Sequence, residues 1–241
     1  MLNNYGLKYA KYFSKEDAVK KFNWPSVIGG VSYFLLEQGY NSGNVTFVND
    51  STGKEIKTSL FREIGYIPLD CDNIELTRSI SQKTKSLINM DSIFMRGQTG
   101  SKAVEKMAIG ANVCYRSRGR TAFIDASKEK DINKYKVAFK YANGARVCDG
   151  SMILLPGETC TESFQYFCVN NLNQANNLLS YVSSSIVVFL RSLIMNSHNN
   201  TSKTWTTIPV MDITKPWTNA DVYQHFGLSP EEITYVESVV K

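Results

Sequence analysis

Short runs rich in apolar residues, separated by polar turns, lie in the first quarter of the chain, and such runs are typical of strands. Residues 27–37 and 45–48 are rich in β-branched and aromatic side chains, and a polar turn that contains glycine separates them. These two runs are therefore predicted to pair as a β-hairpin. Residues 55–59 form a third predicted strand.

Helices are predicted in four places, from apolar residues that recur at three- and four-residue steps and from capping residues. A short helix is predicted over 14–22, a longer one over 73–89, and a long helical region over 172–194 that the serine run 183–185 interrupts. The last helix is the best marked, because Ser229 is an N-cap residue followed by proline and two glutamates. The apolar contacts of the second helix are expected to be Ile74, Ile80, Leu87 and Ile88.

The sequence Gly-Tyr-Ile-Pro at 65–68 breaks the chain and marks the predicted boundary between a domain over 1–65 and a domain over 66–241. In the second domain, short strand-like runs alternate with glycine, serine, asparagine and lysine. The runs are residues 93–96, 112–115, 121–124, 136–141, 151–155 and 163–169. Strands followed by helices in this order predict an α+β fold.

The overall composition is that of an ordinary globular protein, with 43% hydrophobic and 20% charged residues, which excludes a disordered chain. The five cysteines are odd in number and none has C-x-x-C spacing, so neither a disulfide framework nor a zinc site is supported. We expect reduced, mostly buried thiols in a cytoplasmic protein. The N-terminus lacks an apolar signal core, and the longest apolar run, 186–190, is far shorter than a membrane span of about 20 residues.

Positive charge is concentrated in one stretch of the chain. Residues 96–146 contain twelve Lys or Arg against four acids, a net charge of +8, whereas the whole chain carries +5. Such a segment can neutralise phosphates, which supply the largest sequence-independent part of nucleic-acid affinity. The alternative is a solvated surface with scattered lysines.

Three polar loops carry the side chains that are best suited to contact DNA. Arginines 116, 118 and 120 follow a predicted strand, and guanidinium groups can bind phosphate or the O6 and N7 atoms of guanine. Residues 96–102 form a second loop, in which Gln98 is the expected reader of an adenine edge. Residues 197–203 form a third. The predicted DNA-binding residues are Arg96, Gln98, Thr99, Ser101, Lys102, Tyr115, Arg116, Arg118, Arg120, Lys140, Arg146, His198 and Lys203.

Aromatic side chains can also stack on bases, and Trp205 and Trp217 each lie near a proline. Core positions are the more common place for such residues, and we expect both tryptophans in the core.

No catalytic motif is evident in the sequence. The two histidines have no partner at metal-ligand spacing, and no glycine-rich loop has the spacing that binds a phosphate, a dinucleotide or S-adenosylmethionine. One arrangement remains as an alternative function. Glu55, Lys57 and Asp70 are the residue types of a Mg²⁺-dependent nuclease, although their order along the chain is not the usual one and short E-x-K matches are common by chance.

Several stretches together resemble the C-terminal half of adenine-specific DNA methyltransferases whose catalytic motif is Asn-Pro-Pro-Tyr. The resemblance covers the chain from about residue 22 to the C-terminus and lies in the order and spacing of the stretches. They are Ile-Gly-Gly-Val-Ser-Tyr-Phe-Leu at 28–35, Cys-Thr-Glu-Ser-Phe at 160–164, Phe-Leu-Arg-Ser-Leu at 189–193, Ile-Pro-Val-Met-Asp at 208–212 and Phe-Gly-Leu at 226–228.

The resemblance implies a TaqI-like target-recognition domain of a type II restriction–modification system, preceded by a small hairpin remnant of the methyltransferase sheet and ending in helices. In that family this domain contacts the major groove while another domain flips and methylates the adenine. The chain departs from the family in having no Asn-Pro-Pro-Tyr and no S-adenosylmethionine loop. The cofactor is therefore expected in a catalytic partner or in an N-terminal domain outside this sequence. The expected partners are double-stranded DNA and a methyltransferase catalytic domain or subunit. An interaction subunit that assembles with or inhibits a methyltransferase is a further alternative.

Overall fold

The computed structural model of the chain divides into two compact units, Met1–Gln82 and Lys83–Lys241. The predicted domain boundary at residue 65 lies outside the described part of the chain. The residues that the structure describes are 5–25, 31–40, 43–59, 73–97, 111–116, 119–125, 131–142, 150–195 and 199–240.

The first unit is built on a four-stranded sheet. Its strand order is β2-β1-β3-β4, in which β1 pairs antiparallel with β2 and parallel with β3. Leu7, Val45 and Phe47 are buried on one face of this sheet against the first residue of α2. The elements are β1 (Tyr5–Phe13), α1 (Lys15–Phe22), β2 (Val31–Gln38), β3 (Asn44–Asn49), β4 (Glu55–Ser59) and α2 (Ile74–Lys83).

The helix predicted over 14–22 and the strands predicted at 45–48 and 55–59 are confirmed, but the predicted hairpin is wrong. β1 lies between β2 and β3, so these two strands do not pair with each other. β1 escaped prediction because its register shifts between Leu7 and Tyr9, and this bulge interrupts the alternation of apolar and polar residues. Residues three positions apart on a regular strand lie on opposite faces, but because of the bulge Leu7 and Ala10 pack in the same cluster. Residues 27–30 of the predicted strand lie outside the described residues.

α2 confirms the first part of the helix that was predicted over 73–89, and two of the four predicted contacts are buried in it. Leu87 and Ile88 are exposed, so the prediction of their burial is wrong. The helix ends at Lys83, and the backbone of residues 88–90 then hydrogen-bonds to residues 208–210 as an extended segment. The helical spacing of these two side chains is therefore a coincidence of sequence.

The second unit contains two small sheets. Each of the six predicted runs contains a strand, although in 93–96 the strand covers only the last two residues and follows a 3₁₀ turn. One sheet has four antiparallel strands in the order β5-β11-β8-β9, and the other has the order β10-β6-β7 with β10 parallel to β6. The strands are β5 (Met95–Arg96), β6 (Asn112–Tyr115), β7 (Thr121–Ile124), β8 (Tyr135–Lys140), β9 (Met152–Leu154), β10 (Thr159–Cys160) and β11 (Phe164–Val169).

Four helices complete the second unit. The interruption predicted at 183–185 is confirmed, because α3 and α4 meet there with a bend of 61°. The predicted cap of the last helix is also confirmed: Glu232 N donates to Ser229 Oγ (3.3 Å) and Ser229 N donates to Glu232 Oε2 (2.6 Å). The helices are α3 (Leu172–Val182), α4 (Ser185–Ile194), α5 (Asn219–His225) and α6 (Pro230–Val240).

Within the described residues, no single helix is long and apolar enough to cross a membrane. α3 and α4 reach the required length only when they are taken together across their bend, and most apolar side chains of α4 are buried in the second unit.

Both faces of the β5-β11-β8-β9 sheet in the second unit are covered. On one face Phe139 and Phe167 contact Trp205, with ring centroids 5.7 and 4.9 Å apart, and α3 packs over β8 and β11. On the other face Phe164 packs with Cys160 of the small sheet. Trp205 and Trp217 are both buried, which confirms their predicted place in the core. The structure is thus α+β, as predicted.

Candidate functional site

Gly97 and Tyr115, at the start of two of the three predicted polar loops, and Tyr141, next to the end of β8, all form backbone hydrogen bonds to one place, the Thr161–Phe164 turn. This turn is closed by a bond from Phe164 N to Thr161 O (2.9 Å), and three further backbone bonds attach to it. Gly97 N donates to the turn (3.0 Å), Tyr141 N donates to it (2.8 Å), and the turn donates to Tyr115 O (2.9 Å). The ends of β5, β8 and β6 are therefore held together at one edge of the second unit.

Asn200 belongs to the third predicted polar loop, 197–203, and lies at the same edge. Its backbone N–H donates to Tyr141 O (2.6 Å), and its side-chain Nδ2 donates to Lys140 O (2.9 Å). Its carbonyl accepts from the amide of Gln165, and its Oδ1 accepts from the guanidinium of Arg191. Asn200 is fully buried, so both ends of its side chain are used away from water.

Arg191 supports this arrangement from α4. Its guanidinium is fully buried, lies 4.3 Å from the ring centroid of Trp205, and also donates to Thr204 Oγ1 (3.5 Å). A buried cation is stable only with hydrogen-bond acceptors or an aromatic face close by, and this arginine has both. The segment 199–205 is therefore anchored from the interior of the unit.

Five cationic residues lie around this edge, and we call them the basic rim: Arg96, Arg116, Arg120, Lys140 and Lys203. Four of them are exposed and Arg116 is half-buried. Within the described part of the chain no ion pair joins any of the five to an acid.

The basic rim extends across the end of the β5-β11-β8-β9 sheet from one face to the other. In the strand register Arg96 is opposite Gln165, on the face covered by α3, whereas Lys140 is opposite Phe164, on the face covered by the small sheet. Arg116 directly follows the small sheet itself. Because packed layers are about 10 Å apart, the basic rim spans on the order of 20 Å.

A backbone hydrogen bond links two of these arginines, since Arg116 N donates to Arg120 O (2.8 Å). Gly119, next to Arg120, has a φ of +69°, a conformation that favours glycine. Burial raises the pKa of the Cys114 thiol to about 11, Arg116 acts to lower that pKa and Glu162 acts to raise it. The neutral thiol is therefore the favoured form of Cys114 at neutral pH.

Gly97 is required at the start of the second polar loop. A Cβ atom at this position would lie 2.1 Å from the carbonyl oxygen of Thr161, which no ordinary side chain can tolerate. The glycine therefore lets β5 approach the turn closely.

Two contacts at this edge were not found from the sequence. The guanidinium of Arg96 lies 5.6 Å from the ring centroid of Tyr141, and this aromatic ring was predicted only as the end of a strand. The anchor Asn200 was also missed. Neither has a local sequence signal, because each depends on a partner far away in the chain.

Tyr115 differs from the other predicted contact residues. It is half-buried and donates to Glu158 Oε1 (3.1 Å), and burial is the first cause that raises its pKa, followed by Glu158. Its hydroxyl is thus already used within the unit. The remaining predicted contact residues lie outside the described residues: Gln98, Thr99, Ser101, Lys102, Arg118, Arg146 and His198.

The three cysteines within the described ranges, Cys114, Cys160 and Cys168, are free thiols. Cys71 and Cys148 lie outside those ranges. Burial raises the pKa of Cys168 to about 11 and that of Cys160 still further, so these thiols are protonated at neutral pH.

The residues of the alternative nuclease site are only partly described. Glu55 and Lys57 are exposed on β4, on the same side of the strand, and Asp70 lies outside the described residues. Among the residues that are described, no group of three or more His, Cys, Asp or Glu side chains is placed to hold a metal ion.

Compared with known proteins, the chain matches no family model and no curated protein.

Proposed function

We propose that this chain is the DNA-recognition part of an adenine-specific DNA methyltransferase system and that the basic rim contacts the duplex. The observation that carries the proposal is the convergence of the ends of β5, β6 and β8 on the Thr161–Phe164 turn, with Asn200 held beside them by Tyr141 O. These segments are distant in sequence, and their backbone bonds place five cations at one edge. Independently, the sequence resembles the target-recognition part of this family over most of its length.

The dimensions and charge of the basic rim suit a DNA duplex. Duplex DNA carries one negative charge per about 1.7 Å of its axis, and its major groove is about 12 Å wide. A cationic edge on the order of 20 Å long can therefore meet phosphates on both sides of the groove. Lys140 and Lys203 are point charges suited to phosphate, whereas Arg96, Arg116 and Arg120 can also take guanine bidentately.

Sequence reading is proposed to come from the residues that follow Gly97 in the sequence. Gly97 is bonded to the turn beside the basic rim, and the next residue is Gln98, whose amide can pair with the N6 and N7 atoms of adenine. A base reader beside phosphate contacts is the usual arrangement, since phosphate contacts set the position and base contacts give specificity.

Methyl transfer is proposed to need a catalytic domain or subunit that binds S-adenosylmethionine and flips the adenine. The purified chain alone should therefore bind DNA without methylating it. Transfer of a methyl group from S-adenosylmethionine to DNA by this chain alone would contradict that part of the proposal.

The direct experiment measures the affinity of the chain for a mixed-sequence duplex by fluorescence anisotropy between about 50 and 200 mM salt. Each phosphate contact contributes about −0.9 to the slope of log affinity against log salt. Lys140→Ala should reduce the magnitude of that slope by about one and weaken binding roughly fivefold to tenfold near 0.1 M salt.

A matched control is available next to the other end of the same strand. Lys134 is also an exposed lysine, but it precedes β8 whereas Lys140 ends it, so the two lie about 20 Å apart. Lys134→Ala should leave both affinity and salt slope unchanged. Equal losses for the two variants would mean that general charge, and not the basic rim, binds the DNA. No loss for Lys140→Ala, Arg116→Ala and Arg120→Ala together would refute the proposal.

A further inference from the structure

β2 forms one edge of the first-unit sheet and exposes apolar side chains along its middle. Tyr33, Phe34 and Leu35 are 50%, 58% and 51% exposed. An edge strand of eight residues with such side chains is open to pairing with another strand. The single charged residue of β2, Glu37, is held by Lys8 of the neighbouring strand at 2.7 Å and leaves positions 31–36 without charge.

The opposite edge of the same sheet is different. β4 is shorter, and its Glu55 and Lys57 are exposed charges of the kind that discourage strand addition. The two edges of one sheet therefore differ in their protection, and β2 is the edge that can accept a further strand.

The apolar surface continues beyond β2 onto the end of α1. Phe22 and Trp24 are 49% and 52% exposed. Phe13 connects Phe22 to the edge strand, because the ring of Phe13 lies 5.1 Å from that of Phe22 and 5.8 Å from that of Tyr33. The surface formed by Phe22, Trp24, Tyr33, Phe34 and Leu35 is called the edge patch below.

We propose that the edge patch is where two copies of this chain pair, with β2 of one copy antiparallel to β2 of the other about a two-fold axis at Phe34. In this register the two Phe34 side chains face each other, and each Tyr33 faces the Leu35 of the other copy. Residues directly opposite on antiparallel strands lie on the same face of a sheet, so each pair joins exposed apolar side chains. Glu37 faces Val31, and no like charges meet. A parallel arrangement would instead place the two Glu37 side chains side by side.

The exposed area is sufficient for such a pairing. A fully buried aromatic side chain covers about 150–250 Å², so five half-exposed side chains offer on the order of 500 Å² per copy. The two copies together would bury about 1,000 Å², the lower limit for a specific interface, when the pairing also covers Phe22 and Trp24 beside β2. The dimer is therefore expected to dissociate on dilution.

Sedimentation equilibrium of the full chain without DNA tests the pairing. The mass should approach twice the 27.1 kDa of one chain as the concentration rises through the micromolar range. Phe34→Lys and Phe34→Glu should each give the mass of a single chain, because like charges then face each other across the axis. An equimolar mixture of the two variants should recover the double mass, which only a self-pairing centred on Phe34 explains.

Lys57→Glu, on the protected edge, serves as the control and should leave the dimer intact. Far-UV circular dichroism shows that each variant is folded, which we expect because the Phe34 side chain is mostly exposed. A single-chain mass at every concentration overturns the proposal. If the edge patch instead binds a different protein, the chain alone gives this same result. A dimer that persists in Phe34→Lys, or a mixture of folded variants that fails to associate, overturns it as well.

Discussion

Asn200→Ala tests whether one buried amide holds the segment 199–205, which contains Lys203, beside the other residues of the basic rim. The substitution removes the hydrogen bond from Nδ2 to Lys140 O and the acceptor of the Arg191 guanidinium. A neutral hydrogen bond contributes about 0.5–1.5 kcal/mol and one to a charged group about 1.5–3 kcal/mol. The expected loss in the free energy of unfolding is therefore about 2–4.5 kcal/mol, since the backbone bonds of residue 200 remain.

The loss can be measured by urea unfolding followed through tryptophan fluorescence, to which the buried Trp205 contributes. With a slope of about 2 kcal/mol per molar urea, the midpoint should fall by about 1–2 M. Asn176→Ala on the exposed side of α3 is the control and should change stability by no more than about 0.5 kcal/mol. If the two variants unfold at the same urea concentration, Asn200 does not anchor the segment. DNA affinity of Asn200→Ala should also fall, because Lys203 loses its attachment to the rim.

Three further outcomes are expected. Gly97→Ala should destabilise the second unit by about 1–3 kcal/mol in the same urea assay, because its Cβ would collide with Thr161 O, and an unchanged midpoint would show that β5 moves freely. Ser229→Ala should cost about 1 kcal/mol of unfolding free energy through loss of the α6 cap, and a loss below about 0.3 kcal/mol would speak against that cap. The pKa of Asp50 is lowered, first by its hydrogen bond to Lys11, so its stabilising effect is complete above the ordinary carboxyl pKa and is lost as the pH falls through the lowered value. Asp50→Asn should flatten the acid limb of a thermal-stability profile, and an unchanged limb would contradict this assignment.

The elements with local signals could be predicted from the sequence. The cap at Ser229 and the break at 183–185 were both placed correctly, because the side chain that decides each of them lies within a few residues of the feature. Six short strands of the second unit were also found, since turn residues bound them, but the two-residue strand β10 was not predicted.

The pairing of strands and the geometry of the basic rim could not be predicted in the same way. β1 was missed because a bulge hides its period, and its presence changes the partners of both strands beside it. Arg96 meets Tyr141 only because β5 and β8 flank β11 and end at the same turn. The sequence indicated which residues carry the charge, but their common edge depends on long-range backbone bonds.

The central place of β1 has a consequence for how the first unit is made and trimmed. β1 is synthesised before both strands that flank it, so its pairing in the sheet is complete only after residues 31–49 have followed. Removal of β1 would thus not remove an outer strand. It would separate β2 from β3 and divide the sheet in two, whereas loss of β4 would remove only an outer strand.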